Sequence, residues 1–207
     1  MSSHTRIKTG LLGLGLLLAG CTAAVPPIPV DHRSVQPGTS VTLGGSSTYP
    51  LLGKPLRVGD RLPSATLVDT HLQPVDLDSL RGRVLVLSIV PSLDTRVCER
   101  QTHLLGEAGR TLPGDIRLVT ISRDLPFAQQ RFADDTGFRD ILYLSDYRNG
   151  DFGLATGLLV DEIRLLARAM IVVDRAGTVR YLQIVPELSH LPDMETVLDE
   201  ARRLEGQ

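Results

Sequence analysis

The sequence predicts an α/β fold, a central mixed β-sheet flanked by helices and preceded by a β-hairpin. Three observations carry that expectation. Val84 to Val90 is an unbroken apolar run with the length of one strand buried on both faces. Beyond it Val97, Leu104, Leu105 and Ala108 recur at i, i+7, i+8 and i+11, which is a helical stripe. Strand-like and helix-like stretches then alternate before a hairpin and a closing helix, the order that builds a layered sandwich.

The elements follow in order. Thr22 to Ser40 is rich in Pro, Ser, Thr, Gly and Val without a burying period, so residues 21–40 are expected to form a flexible tether and 41–207 the folded domain. Val41 to Leu56 is broken by Gly44-Gly45 and Gly53 and reads as an N-terminal hairpin. Ala65 to Val68 is a strand and Leu77 to Arg81 a helical turn leading into the central strand. Ile116 to Ser122 is a strand, and Pro126 to Asp135 a helix with proline at its first position. Ile141 to Leu144 is a further strand, and Gly150 to Gly157 a loop with one helical turn. Ala169 to Val173 and Val179 to Val185 flank Asp174-Arg175-Ala176-Gly177, which signals an antiparallel hairpin. Met194 to Leu204 closes the chain as a helix with Val197, Leu198, Ala201 and Leu204 on one face. The sum suggests a thioredoxin-like sandwich.

Between the central strand and its helix lies Pro91-Ser92-Leu93-Asp94-Thr95-Arg96-Val97-Cys98. Proline just past a strand fits a turn, because it cannot donate to the ladder. Thr95 suits an N-cap, which sets Cys98 in the first helical turn. There the positive end of the helix dipole and the unpaired backbone N–H groups favour thiolate over thiol. A lone cysteine is more often a small buried hydrophobe, so position alone leaves both roles open.

The surrounding pattern shifts the balance. Pro-x-x-x-Thr-x-x-Cys resembles the active-site signature of peroxiredoxins, and PSLDTRVC is most similar to the form found in the thiol peroxidase family. Asp124 to Gln129 with Arg131-Phe132 is similar to that family as well. So are Leu166-Ala167-Arg168-Ala169 leading into Ile171 to Asp174, and Val58-Gly59-Asp60 near the domain start. The resemblance runs from about Val41 to the C-terminus. It implies a thioredoxin-like peroxiredoxin domain that reduces hydrogen peroxide and organic hydroperoxides at Cys98 through a sulfenic acid. Thr95 would then bond the sulfur or the peroxide, and Pro91 would shield it from water. Arg168 stands where the family carries its active-site arginine; without the resemblance it reads as a surface ion pair. Arg131 is a weaker choice with a supporting role.

One departure matters. The family typically has a resolving cysteine directly after the Arg-Phe of that stretch, where this chain has Ala133, and Thr120 stands where some members carry another. A one-cysteine cycle is therefore expected, with an external thiol (a thioredoxin-like protein or a small thiol) as reductant. The alternatives are a peroxide sensor that does not turn over and a lipoprotein that keeps the fold for binding. Relatives are commonly dimers, yet no interface patch is legible in the sequence.

The first twenty residues look like a leader. His4, Arg6 and Lys8 precede the apolar run Leu11 to Leu18, and Leu18-Ala19-Gly20-Cys21 resembles a lipoprotein lipobox. Cys21 would then be lipidated, anchoring the protein to the bacterial envelope and facing the periplasm. Thr22, not aspartate, favours the outer membrane. Loss of Arg6 and Lys8 moves the formal charge from −2 to about −4, and acylation of Cys21 leaves Cys98 as the sole thiol, so no intramolecular disulfide can form.

Composition excludes other classes. A near-neutral charge gives no reason to expect nucleic acid, and an aromatic content of 4% with no tryptophan argues against stacking surfaces. His32, His71, His103 and His190 show no metal-ligand spacing, and there is no Cys-x-x-Cys, phosphate loop or nucleophilic-serine motif. No cofactor or metal is expected.

Overall fold

A computed structural model describes residues 26–36 and 38–206. The leader, Cys21 and the first part of the expected tether lie outside the described residues. An N-terminal hairpin of β1 (Ser40–Leu43) and β2 (Ser47–Leu52) pairs onward with the two-residue β8 (Leu159–Val160). The main sheet has seven strands in the order β10-β9-β5-β6-β7-β3-β4. They are β3 (Thr66–Asp69), β4 (Pro74–Asp76), β5 (Val84–Ile89), β6 (Ile116–Ser122), β7 (Ile141–Ser145), β9 (Ala169–Val173) and β10 (Val179–Ile184). The helices are α1 (Arg96–Gly109), α2 (Pro126–Thr136), α3 (Asp151–Thr156) and α4 (Met194–Glu205), with a 3-10 turn over Leu77–Leu80. Strands β5, β6 and β7 run parallel, while β9, β10, β3 and β4 join antiparallel, so the sheet is mixed as expected.

Period two explains the two cores. All six residues of β5 are buried, and its alternate side chains enter opposite layers. Leu85, Leu87 and Ile89 join Val119, Ile121, Phe152 and Ile171 on one face. Val84 and Val86 join Leu118, Met170 and Val172 on the other, where α1 contributes Cys98 and Leu105 and α4 contributes Val197, Ala201 and Leu204. The helices are thus held by burial of one face each, at roughly 25 cal/mol per Å² of apolar surface.

Three expectations are corrected. Of the stripe Val97, Leu104, Leu105, Ala108, helix α1 fully buries only Leu105 and leaves the others half-buried; its buried face is Cys98, Gln101, Thr102, Leu105 and Gly106. The polar members are tolerated because they are bonded, Thr102 Oγ1 to the Cys98 carbonyl at 2.9 Å and Gln101 to groups described below. Strands β4 and β8 were not anticipated: the first opens on proline and the second is two residues long, so neither shows a period. Finally, part of the expected tether is docked. Asp31 N–H donates to Leu191 O (2.8 Å), Leu191 N–H to Pro29 O (2.8 Å) and Val35 N–H to Ile184 O (2.9 Å). Gln183 adds bonds to the Asp31 and Arg33 carbonyls at 2.6 and 3.1 Å. Residues 29–35 therefore extend the domain, because backbone groups at the end of β10 and in the connection before α4 offered partners that composition does not reveal.

Candidate active site

Topology brings the site together. The antiparallel register Ile89↔Ala169 sets the start of β9 beside the end of β5. Arg168, just before β9, thereby meets the first turn of α1, just after β5, although seventy residues separate it from Cys98. The site lies outside the C-terminal ends of the parallel strands, where open α/β sheets place their crevices.

Cys98 is fully buried and Arg168 is 1% exposed. Thr95 Oγ1 stands 2.9 Å from Cys98 Sγ, and Arg168 Nη2 3.3 Å from it. Thr95 is the N-cap by position but makes no side-chain cap bond; its hydroxyl is 3.1 Å from Ser92 O and otherwise faces the sulfur. One hydroxyl proton cannot serve both: with a thiol, Thr95 donates to Ser92 O and accepts the S–H, and with a thiolate it donates to sulfur. The expected capping role is therefore replaced by a bond to sulfur. Pro91 is buried in the connecting turn.

Arg168 is not the surface ion pair that its type alone suggested. Its Nε and Nη2 both donate to Leu188 O at 3.1 and 2.9 Å, and Nη1 donates to Gln101 Oε1 at 2.7 Å. These acceptors are neutral, and among the described residues no carboxylate pairs with it. A buried cation without a counter-charge is costly. Among the groups bonded to the guanidinium, the atom able to carry negative charge is Sγ.

Supporting residues escaped the sequence reading. Gln101 aligns the guanidinium and is itself held by Ser88 Oγ at 2.8 Å. Asp124 grips the turn before the cysteine: it accepts from Ser92 Oγ (2.7 Å), Leu93 N–H (2.8 Å) and Ser122 Oγ (2.8 Å). Gln101 bonds to Ser88 on β5 and to Arg168, and Asp124 chiefly to the distant turn at Ser92 and Leu93, so only the helical offset of Gln101 from Cys98 gave a signal. Arg131 is exposed and pairs with Asp94 at 3.3 Å, at the rim and not at the sulfur. Thr120 is buried on β6, Ala133 lies on α2, and Cys98 is the only cysteine among the described residues. No group of metal-ligating side chains occurs among the described residues. A groove of about 730 Å³ lies on the outer face of α1, lined by Arg96, Arg100 and His103, away from the face that carries Cys98.

Comparison with known proteins identifies the family and the fold. Residues 57–198 match the family model described as Redoxin. The chain is similar to "Thiol peroxidase" of Halalkalibacterium halodurans, 40% identical over 163 residues that span 79% of this chain and 97% of the relative. It is also similar to "Thiol peroxidase" of Bacillus subtilis, 39% identical over 78% of this chain and 95% of the relative. A peroxiredoxin-like protein from Aquifex aeolicus superposes with a TM-score of 0.76 at 34% identity, over 83% of this chain and 99% of that one. The thioredoxin-like sandwich, the match over most of the chain and the meeting of buried Cys98 and Arg168 with Thr95 converge: the chain is a peroxiredoxin-type enzyme and belongs to the thiol peroxidase family.

Proposed function

We propose that Cys98 is the peroxide-reducing nucleophile of a one-cysteine thiol peroxidase. The single observation that carries this reading is the buried Arg168 guanidinium, which has no carboxylate partner among the described residues and an Nη2 3.3 Å from Sγ. The thiolate attacks one oxygen of the O–O bond, and that bond breaks as S–O forms. Sulfur loses two electrons to become sulfenic acid, and the leaving oxygen gains them and a proton, departing as water or an alcohol. Arg168 and Thr95 supply hydrogen-bond donors where charge builds up, in a dry site where such donors act strongly. Thr95 is exposed and touches the sulfur, so the peroxide approaches from its side.

With no second cysteine in residues 22–207, the sulfenic acid is resolved from outside. A reductant thiolate attacks the sulfenic sulfur, water leaves, and a mixed disulfide forms; a second thiol then releases Cys98 as thiol and departs as the oxidised disulfide. The lipobox resemblance supports lipidation of Cys21, with the domain facing the periplasm from the outer membrane and lipid hydroperoxides within reach. Mass spectrometry of the N-terminal peptide from membranes tests this: a diacylated Cys21 is expected, and a free Cys21 thiol overturns it.

Turnover tests the cycle. The full chain carrying Cys21→Ser, in detergent, is expected to consume hydrogen peroxide continuously with a dithiol or a thioredoxin-like protein, and Cys98→Ser to consume none. One stoichiometric oxidation with no recycling by any thiol would replace the cycle with a peroxide sensor.

A further inference from the structure

Arg168 is placed largely by one carbonyl. Leu188 O accepts from both its Nε and its Nη2, at 3.1 and 2.9 Å. Leu188 lies in the connection between β10 and α4, outside any strand. Something else must therefore fix that carbonyl, since a site loose by about 1 Å loses much of its rate.

Glu187 is the fixture. It is 8% exposed, and its carboxylate accepts five hydrogen bonds. These come from Thr42 Oγ1 (2.7 Å), Gly44 N–H (3.0 Å), Gly45 N–H (3.0 Å), Ser189 N–H (3.0 Å) and Ser189 Oγ (2.7 Å). Gly44 and Gly45 both have positive φ, 65° and 72°, which turns their N–H groups toward one acceptor. The backbone reinforces the tie: Leu188 N–H donates to Thr42 O and Thr42 N–H to Pro186 O, both at 2.8 Å. Burial alone would raise the Glu187 carboxyl, but the bonds from Thr42, Ser189 and Gly45 outweigh it and hold it down to about 2. The acceptor is thus a full anion, which strengthens each bond.

We propose that Glu187 is a positioning residue for peroxide reduction: by tying its connection to the β1–β2 hairpin it sets the Leu188 carbonyl, and through it the distance from Arg168 Nη2 to the Cys98 sulfur. The inference rests on the reading of Cys98 and Arg168 given above. Glu187 itself hydrogen-bonds neither the sulfur nor the guanidinium.

The test uses the full chain with Cys21→Ser in four further forms: Glu187→Gln, Glu187→Ala, Val41→Ala and Arg168→Lys. Val41, 1% exposed on β1, weakens the same hairpin without touching the carboxylate. The rate constant for Cys98 oxidation by hydrogen peroxide is measured across pH, well below every Tm. Glu187→Gln and Glu187→Ala are expected to slow oxidation about tenfold, on the scale that small misplacement costs, and to shift the pH–rate profile to the alkaline side. Val41→Ala is expected to lower Tm and leave rate and profile unchanged. Wild-type rates in both Glu187 variants overturn the proposal, and so does a Val41→Ala shift as large as theirs. A wild-type rate in Arg168→Lys sinks the underlying reading instead, and is seen separately from the Glu187 result.

Discussion

At the scale of single residues, Arg168 sets the character of the site. It is one of 22 cations in the sequence, and only its resemblance to a family position singled it out. Its burial depends on acceptors far away in the chain, which no local pattern exposes. Cys98 and Thr95 were legible because, with Pro91, they are the three fixed positions of one motif. Gln101, Asp124 and Glu187 were not, because a polar side chain bonded within the fold looks like a surface one until its partners are known. Arg168→Lys keeps the charge but loses the planar fork that spans Gln101, Leu188 and sulfur. It is expected to slow Cys98 oxidation by about a hundredfold, the scale for losing one preorganised donor, measured by competition for hydrogen peroxide. Thr95→Val is expected to slow the same step about tenfold, the worth of one bond to a charged group. Because Thr95 makes no cap bond, Thr95→Val should change unfolding free energy by less than about 0.5 kcal/mol, where loss of a working cap costs about 1. Urea denaturation checks this, and a loss near 1 kcal/mol would restore the capping role.

At the scale of elements, the long periodic segments were legible and the short ones were not. Strands β5 and β9 are near-continuous apolar runs because both faces are covered. Helix α1 was located correctly but turned on its axis, since its apolar stripe outvoted the bonded Gln101 and Thr102. That turn is what points Cys98 into the core beside Arg168. Gly106 locks it: a Cβ there would stand 2.4 Å from the Phe138 ring. Gly106→Ala should therefore destabilise by about 1–3 kcal/mol through overpacking, although alanine favours a helix interior by about 1 kcal/mol. Chemical denaturation reads the sign directly, and a stabilised variant would contradict the packing described.

At the scale of the whole molecule, the N-terminal stretch and the β10–α4 connection tie the domain through buried carboxylates. Asp31 is held well below the usual carboxylate range by the side-chain bond from Arg33, against the opposing effect of burial. Glu187 is held down to about 2 from 4.5. A depressed carboxyl contributes stability that is complete above its unfolded value and is lost as pH falls toward its folded one. Tm should therefore fall between about pH 4.5 and about pH 2, and less steeply in Glu187→Gln; equal slopes would contradict this. The docking of residues 29–35 was invisible in composition, because Pro-, Ser- and Val-rich sequence pairs by backbone and not by pattern. Peroxide reduction at Cys98 is tested most directly by intact-mass analysis of the full chain carrying Cys21→Ser after one equivalent of hydrogen peroxide with a sulfenic-acid trap. A single trapped adduct at Cys98 is expected, formed with consumption of the peroxide, and neither event in Cys98→Ser. Peroxide consumed equally by Cys98→Ser, or an unmodified Cys98 in the parent chain, would contradict it.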